Sequence, residues 1–269
     1  MAEKALNIAH RGARSLAPEN TLTAARKAWE IGADMWELDV TMTADGELVL
    51  LHDVGLARTS NVAEIFPDRT DALLTTFTLA ELRQLDMGGW FVQTDPFSQI
   101  AEGQVTQEEQ RFFSGTPIPS LRAALELTRD LNWRVNVEIK NLDGSPADDT
   151  IAERVVALIS ETGMVERVVV SSFNHDYLAR VRRASRQVAT AALVGFPAPD
   201  PVALLRGLDA QAYNPGNHNL EVEQLEPLRR AGLEVNIWTV NDPERMRELI
   251  LAGATGIITD FPQWFPTLP

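Results

Sequence analysis

Met35-Trp36-Glu37-Leu38-Asp39-Val40 is an apolar run that carries two carboxylates two residues apart. Successive residues of a strand face opposite sides, so Glu37 and Asp39 share one face. A buried strand rejects unpaired charge, because a lone carboxylate is costly to desolvate. Two acids on one face also repel each other unless a cation lies between them. The run therefore reads as a strand whose polar face lines a metal site. The spacing recurs in Asn136-Val137-Glu138-Ile139-Lys140, with an acid and a lysine at i and i+2. Upstream, His10-Arg11-Gly12 closes another apolar run; downstream, His52-Asp53 follows the run 47–51.

Outward from this stretch the same rhythm repeats. Strand-like runs fall at 6–9, 35–40, 134–140, 167–172, 188–194, 210–213, 234–240 and 256–259. Helical patterns lie between them at 21–31, 120–131, 149–161, 176–184, 201–205, 221–231 and 243–252. Asn20-Thr21 and Asn241-Asp242-Pro243 are helix starts, with Pro in the first turn of the second, and Gly32, Gly163, Gly232 and Gly253 mark helix ends. Strands alternating with helices in this number predict an α/β chain, a parallel (β/α)8 TIM barrel spanning 1–269; a doubly wound open sheet is the runner-up. Thr43-Ala44-Asp45-Gly46 adds a hairpin after the second strand. The stretch 54–116 breaks the alternation, with Pro67, Gly88-Gly89-Trp90, Pro96 and one short helical pattern near 78–85. It is expected to be an inserted subdomain after the second barrel strand.

Composition narrows the partners. The 269 residues are 45% hydrophobic and 23% charged, enough for a real core. A net charge of −14 argues against nucleic acid or an anionic membrane as the main partner, while local cations still allow a small anionic substrate. With no cysteine, thiolate metal sites and cysteine nucleophiles are excluded. No apolar stretch is long enough for a signal peptide or for stable membrane insertion, so a soluble cytoplasmic protein is expected.

Barrel active sites collect at the C-terminal ends of the strands. His10 and Arg11 end the first strand, Glu37 and Asp39 lie near the end of the second, Glu138 and Lys140 end the next, and Trp238 ends a later one. Three carboxylates without cysteine suit one hard divalent cation, Mg2+ or Ca2+. Arg11 and Lys140 supply fixed positive charge for a phosphate. Histidines move protons near neutral pH. Metal, cations and two proton carriers together describe phosphodiester cleavage. Asp53 is expected to orient His52, Trp90-Phe91 to anchor the insertion, and His175 and His218 to lie in surface loops.

The chain resembles the glycerophosphodiester phosphodiesterases over essentially its whole length. The resemblance rests on His10-Arg11-Gly12, Pro18-Glu19-Asn20-Thr21, Glu37-x-Asp39-Val40, Thr43-x-Asp45-Gly46, His52-Asp53 and Arg58-Thr59. It continues through Gly89-Trp90-Phe91, Ile118-Pro119-Ser120-Leu121, Glu138-x-Lys140, Ser171-Ser172-Phe173, Trp238-Thr239-Val240-Asn241 and Gly256-Ile257-Ile258-Thr259-Asp260. It implies a (β/α)8 barrel with an insertion after the second strand. It implies a divalent cation on Glu37, Asp39 and Glu138, His10 and His52 as general acid and base, Arg11 and Lys140 on the phosphate, and Phe173 and Trp238 lining the substrate cleft. The activity it implies is hydrolysis of a small-molecule glycerophosphodiester to sn-glycerol 3-phosphate and an alcohol, through a cyclic phosphate. The rivals are the same chemistry on a lysophospholipid or phosphoinositide type of diester, or a non-catalytic phosphodiester-binding protein. Which histidine is acid and which base, which alcohol leaves, which ion serves and what the oligomeric state is all stay open.

Overall fold

The strand that contains Glu37 and Asp39 runs over Met35–Met42, and all eight of its residues are buried. In the computed structural model, residues 4–266 are described; Met1–Glu3, part of the start read for a leader, lie outside them. The strands are β1 (Leu6–Ala9), β2 (Met35–Met42), β3 (Leu48–Leu50), β4 (Val135–Ile139), β5 (Val168–Ser172), β6 (Ala189–Val194), β7 (Ala212–Pro215), β8 (Glu234–Ile237) and β9 (Gly256–Thr259). Neighbours pair in the order β1-β9-β8-β7-β6-β5-β4-β2-β3, and a β1–β2 pairing closes the ring. Every pairing in the ring is parallel, and β3 adds to β2 antiparallel from outside it. The eight-stranded parallel barrel is therefore the fold, and the open sheet is excluded by closure.

The helices are α1 (Leu22–Ile31), α2 (Val62–Ile65), α3 (Leu79–Leu82), α4 (Gly89–Thr94), α5 (Gln107–Phe113), α6 (Leu121–Asp130), α7 (Ile151–Glu161), α8 (His175–Ala184), α9 (Pro201–Leu208), α10 (Leu225–Arg230) and α11 (Pro243–Ala252). None among the described residues is long and apolar enough to cross a membrane. Thr21 caps α1 through its side chain, and Asp242 caps α11 with Pro243 in the first turn.

Alternation along β2 divides the core. Trp36, Leu38 and Val40 join the apolar layer between strands and helices, whereas Met35 joins Ile8, Val169, Ala191, Ala212 and Ile258 inside the barrel. Glu37 and Asp39 follow Met35 on that inner face. The outer face is fixed by Trp36, which stacks on Trp133 at 6.3 Å and donates from Nε1 to Thr128 Oγ1 of α6 at 2.9 Å. Apolar plugging below and acids above put the reactive side chains at the C-terminal mouth.

Three expectations shift. The pattern 221–231 divides into a 3-10 turn, Val222–Gln224, and α10, because Pro227 has no N–H for a longer helix and is tolerated only in a first turn. The last residues of the run 234–240 leave the sheet, β8 ending at Ile237 and Trp238 bridging Gly216. Between β3 and α6 the chain forms four short helices rather than one, α2 to α5. One- and two-turn helices carry too few residues to show a period. Capping sets two of them: Thr78 and Glu81 make a capping box on α3, and Thr106 and Glu109 make one on α5. Gly88 sits so close to Phe113 that a Cβ would lie 2.0 Å from its carbonyl oxygen. Leu56, Val62, Leu74, Phe77, Leu82, Leu85 and Met87 pack with Val49 and Leu51 into a separate apolar cluster.

Candidate active site

Gly12, at φ +81°, turns the chain sharply after β1; a Cβ there would lie 2.6 Å from the backbone of Ala24. Arg11 shares the left-handed conformation at φ 54°. That turn aims the Arg11 N–H at Glu37 Oε2, 2.9 Å away, and brings Arg11 Nε within 3.1 Å of Asp39 Oδ2. Asn20, also left-handed at φ 56°, donates from Nδ2 to Asp39 Oδ2 at 2.8 Å and accepts the Asp39 N–H on Oδ1 at 3.0 Å. Just past the end of β4, Lys140 Nζ donates to Glu138 Oε1 at 2.6 Å and to Asp39 Oδ1 at 3.3 Å.

Asp39 and Glu138 are register partners on β2 and β4, and Glu37 stands two residues earlier on the same face. All three acids are buried, and one carboxylate oxygen of each lies within 4.8 Å of the others. Opposite ligands of a bound Mg2+ or Ca2+ stand about 4–5 Å apart, so the spacing and the all-oxygen donor set fit a hard divalent cation. The electrostatics point the same way. Burial, then the charges of Asp39 and Glu138, push Glu37 well above the usual carboxylate range. Burial and Asp39 raise Glu138 to about 7. Burial alone would raise Asp39 too, but Arg11 and Lys140 hold it well below. Glu37 and Glu138 thus resist ionising beside the charged Asp39, and a bound cation would relieve that repulsion.

Each histidine is backed by a carboxylate. His10 Nδ1 lies 2.6 Å from Asp260 Oδ1, and His52 Nδ1 lies 2.7 Å from Asp53 Oδ1. A carboxylate accepts only, so Nδ1 carries the proton and Nε2 is the free ring nitrogen. Burial and then Arg11 hold His10 below the usual imidazole value against the pull of Asp260. Burial does the same to His52, with Arg11 and Lys140 acting in the same direction against the pull of Asp39 and Asp53.

His10, Arg11, Glu37, His52, Glu138 and Lys140 border one cavity of about 100 Å³, and Phe173 and Trp238 form its wall. Those two rings meet edge to face, 5.4 Å between centroids. Asp39 lies behind the lining, 1% exposed. All nine residues singled out in the sequence thus gather at one end of the barrel. A roomier hollow of about 440 Å³ opens beside Asn141, Asp143 and Phe173, but it is a shallow polar depression without the acid cluster or the cations. Asp53 holds His52 as expected, and Phe91 is buried with Trp90 against it. His218 is exposed. His175 differs: it is the first residue of α8, half-buried, with Nε2 donating to Leu193 O at 3.1 Å, because the Asn174 cap turns it back onto β6.

In the sequence Glu19 and Asp260 carry no site role, and Asn20 carries only that of a helix start. Glu19 Oε1 accepts from Arg11 Nη1 at 2.8 Å, and Asp260 backs His10. The available signal was a charged residue inside a motif otherwise set by turn and cap, Pro18-Glu19-Asn20-Thr21.

Residues 10–264 match the glycerophosphoryl diester phosphodiesterase family model. A glycerophosphodiester phosphodiesterase of Caldanaerobacter subterraneus subsp. tengcongensis is 34% identical over 97% of this chain and 96% of its own. The structure is similar to that of a glycerophosphodiester phosphodiesterase from Agrobacterium tumefaciens, with TM-score 0.74 and 28% identity over 96% of this chain and 97% of that one. It is also similar to a phosphodiesterase of Oleispira antarctica in complex with the product sn-glycerol-3-phosphate, with TM-score 0.77 and 26% identity over 96% of this chain and 94% of that one. The chain belongs to the glycerophosphoryl diester phosphodiesterase family.

Proposed function

We propose that this protein is a metal-dependent phosphodiesterase that hydrolyses glycerophosphodiesters to sn-glycerol 3-phosphate and an alcohol. The observation that carries the reading is the meeting of three buried acids, two carboxylate-backed imidazoles and two cations around one small cavity. Glu37, Asp39 and Glu138 hold the cation, Mg2+ or Ca2+. When bound, it supplies Lewis-acid polarisation of the phosphodiester and lowers the pKa of a nearby hydroxyl.

Arg11 and Lys140 bind the phosphate oxygens, and Arg11 is pre-oriented by Glu19 and the Glu37 contact of its own N–H. Phe173 and Trp238 give an apolar edge-to-face wall for the glycerol backbone. The nucleophile is the substrate's own C2 hydroxyl, which is tethered beside the phosphorus and so avoids much of the entropic cost of bringing in water. One imidazole takes the proton of that hydroxyl at Nε2, and the other protonates the leaving alcohol. Water then opens the cyclic phosphate with the roles exchanged. Each imidazole contributes roughly 10²–10⁴ in rate. The stretch 54–116 follows His52-Asp53 directly and acts as an insertion that shapes the substrate side of the mouth; Arg58, stacked 5.9 Å over Trp90, ties the two together.

A substrate analogue lacking the C2 hydroxyl tests the route. It should compete with the normal diester for binding and remain uncleaved. Hydrolysis at a rate near that of the normal substrate would show direct attack by water and refute the cyclic step.

A further inference from the structure

We infer that Glu19 is the positioning residue for both imidazoles, a buried carboxylate from which two matching chains of contacts run to His10 and His52. The inference rests on the proposed acid–base role of those two histidines. The Glu19 side chain is 3% exposed and accepts from three guanidiniums. Its Oε1 takes Arg11 Nη1 at 2.8 Å and Arg58 Nη2 at 2.7 Å; its Oε2 takes Arg14 Nη2 at 2.7 Å and Arg58 Nη1 at 3.0 Å.

Arg14 then reaches Asp260 Oδ1 at 3.3 Å, and Asp260 holds His10 Nδ1. Arg58 reaches Asp53 Oδ2 through Nε at 2.6 Å and Oδ1 through Nη2 at 3.1 Å, and Asp53 holds His52 Nδ1. Each branch runs carboxylate, guanidinium, carboxylate, imidazole. The two histidines leave the fold from different strands, yet both tautomers are set from one point. Three guanidiniums, Arg11, Arg14 and Arg58, converge there and would repel one another without the buried anion among them. Planar guanidiniums in fixed forks transmit orientation where a flexible ammonium would not. Asp260 has a second brace in Asn241 Nδ2 at 2.8 Å, so the His10 branch is the more firmly held of the two. Glu19 touches none of the acid triad, and it acts on the reaction through its partners.

The test is Glu19→Gln, which keeps the shape and turns one accepting oxygen into a donor facing a guanidinium. Release of sn-glycerol 3-phosphate from glycerophosphocholine should fall about 10–100-fold in kcat, with a smaller rise in KM because Glu19 also holds Arg11. The chain has four histidines, so ring ¹⁵N spectra resolve each of them. His10 and His52 should both lose the fixed Nδ1–H pattern, while His175 and His218 keep theirs. Arg58→Gln cuts one branch at an accessible position and should change the His52 pattern alone. An intact pattern at both rings in Glu19→Gln would overturn the inference, as would a loss confined to KM. If Glu19→Gln does not fold, Arg58→Gln decides: a change at both rings or at neither refutes the branched arrangement. His10→Ala and His52→Ala measured alongside separate the two claims. Full activity in those variants removes the acid–base reading, while the ring spectra still report whether Glu19 sets the tautomers.

Discussion

Replacing Glu138 by Gln should stabilise the metal-free protein while crippling it as an enzyme. Burial and the Asp39 charge lift Glu138 from 4.5 to about 7 in the folded chain. That shift of two to three units, at 1.36 kcal/mol each, amounts to roughly 3 kcal/mol against folding once the carboxylate is forced to ionise. A group raised on folding favours the folded state below its unfolded value, and the advantage is lost as pH climbs through the folded value. Gln keeps an oxygen for Lys140 Nζ, now 2.6 Å from Glu138 Oε1, but carries no charge. In chelator at pH 8 the variant should therefore be more stable by roughly 3 kcal/mol, narrowing to under about 1 kcal/mol near pH 5. Metal acts oppositely: at a hundredfold excess over Kd it adds about 2.7 kcal/mol to the wild type, and less to a site with two acids. Urea unfolding followed by circular dichroism at pH 5 and pH 8, in chelator and then in Mg2+ or Ca2+, gives all the required differences. A variant less stable than wild type in chelator at pH 8, or one that gains as much from metal, would refute the reasoning.

Three further outcomes are expected. Alanine at His10 or at His52 should lower kcat by roughly 10²–10⁴ with the unfolding midpoint little changed, whereas His218→Ala should leave turnover as it is; steady-state kinetics on purified variants checks both. Trp90→Ala, next to Arg58 at the mouth, should raise KM without altering metal affinity measured by calorimetry, and a large loss of metal binding would contradict the role given to 54–116. Trp36→Ala removes a fully buried ring and its bond to Thr128, and should cost about 3–5 kcal/mol in denaturant unfolding.

The barrel was legible because its strands are short apolar runs with a clear period, and β1 and β9 match their sequence bounds to the residue. The acid triad was legible for a related reason: charge at i and i+2 inside such a run violates the usual burial rule, and the violation marks a site. Less could be read where the structure depends on capping or on distant partners. Of the helices α2 to α5, α3 and α5 are set by capping boxes and α4 starts at a close glycine contact, neither of which has a period. Asp260 shows no role in the sequence because its partner, His10, lies at the opposite end of the chain. Glu19 was visible within a motif, and Arg11 and Arg14 lie close to it in the chain, but the third arginine, Arg58, comes from a distant segment that no local pattern connects to it. His175 falls in a helix and not in the expected loop because Asn174, accepting the Asp176 N–H on its side chain, caps α8 one residue before the periodic pattern begins.

The most direct test of the central claim is release of sn-glycerol 3-phosphate from a panel of glycerophosphodiesters with different alcohols, assayed with and without chelator. Release should be rapid for at least one member, fall to background in chelator and return with Mg2+ or Ca2+. No release from any member by metal-loaded protein, or full turnover by thoroughly metal-stripped protein, would contradict it.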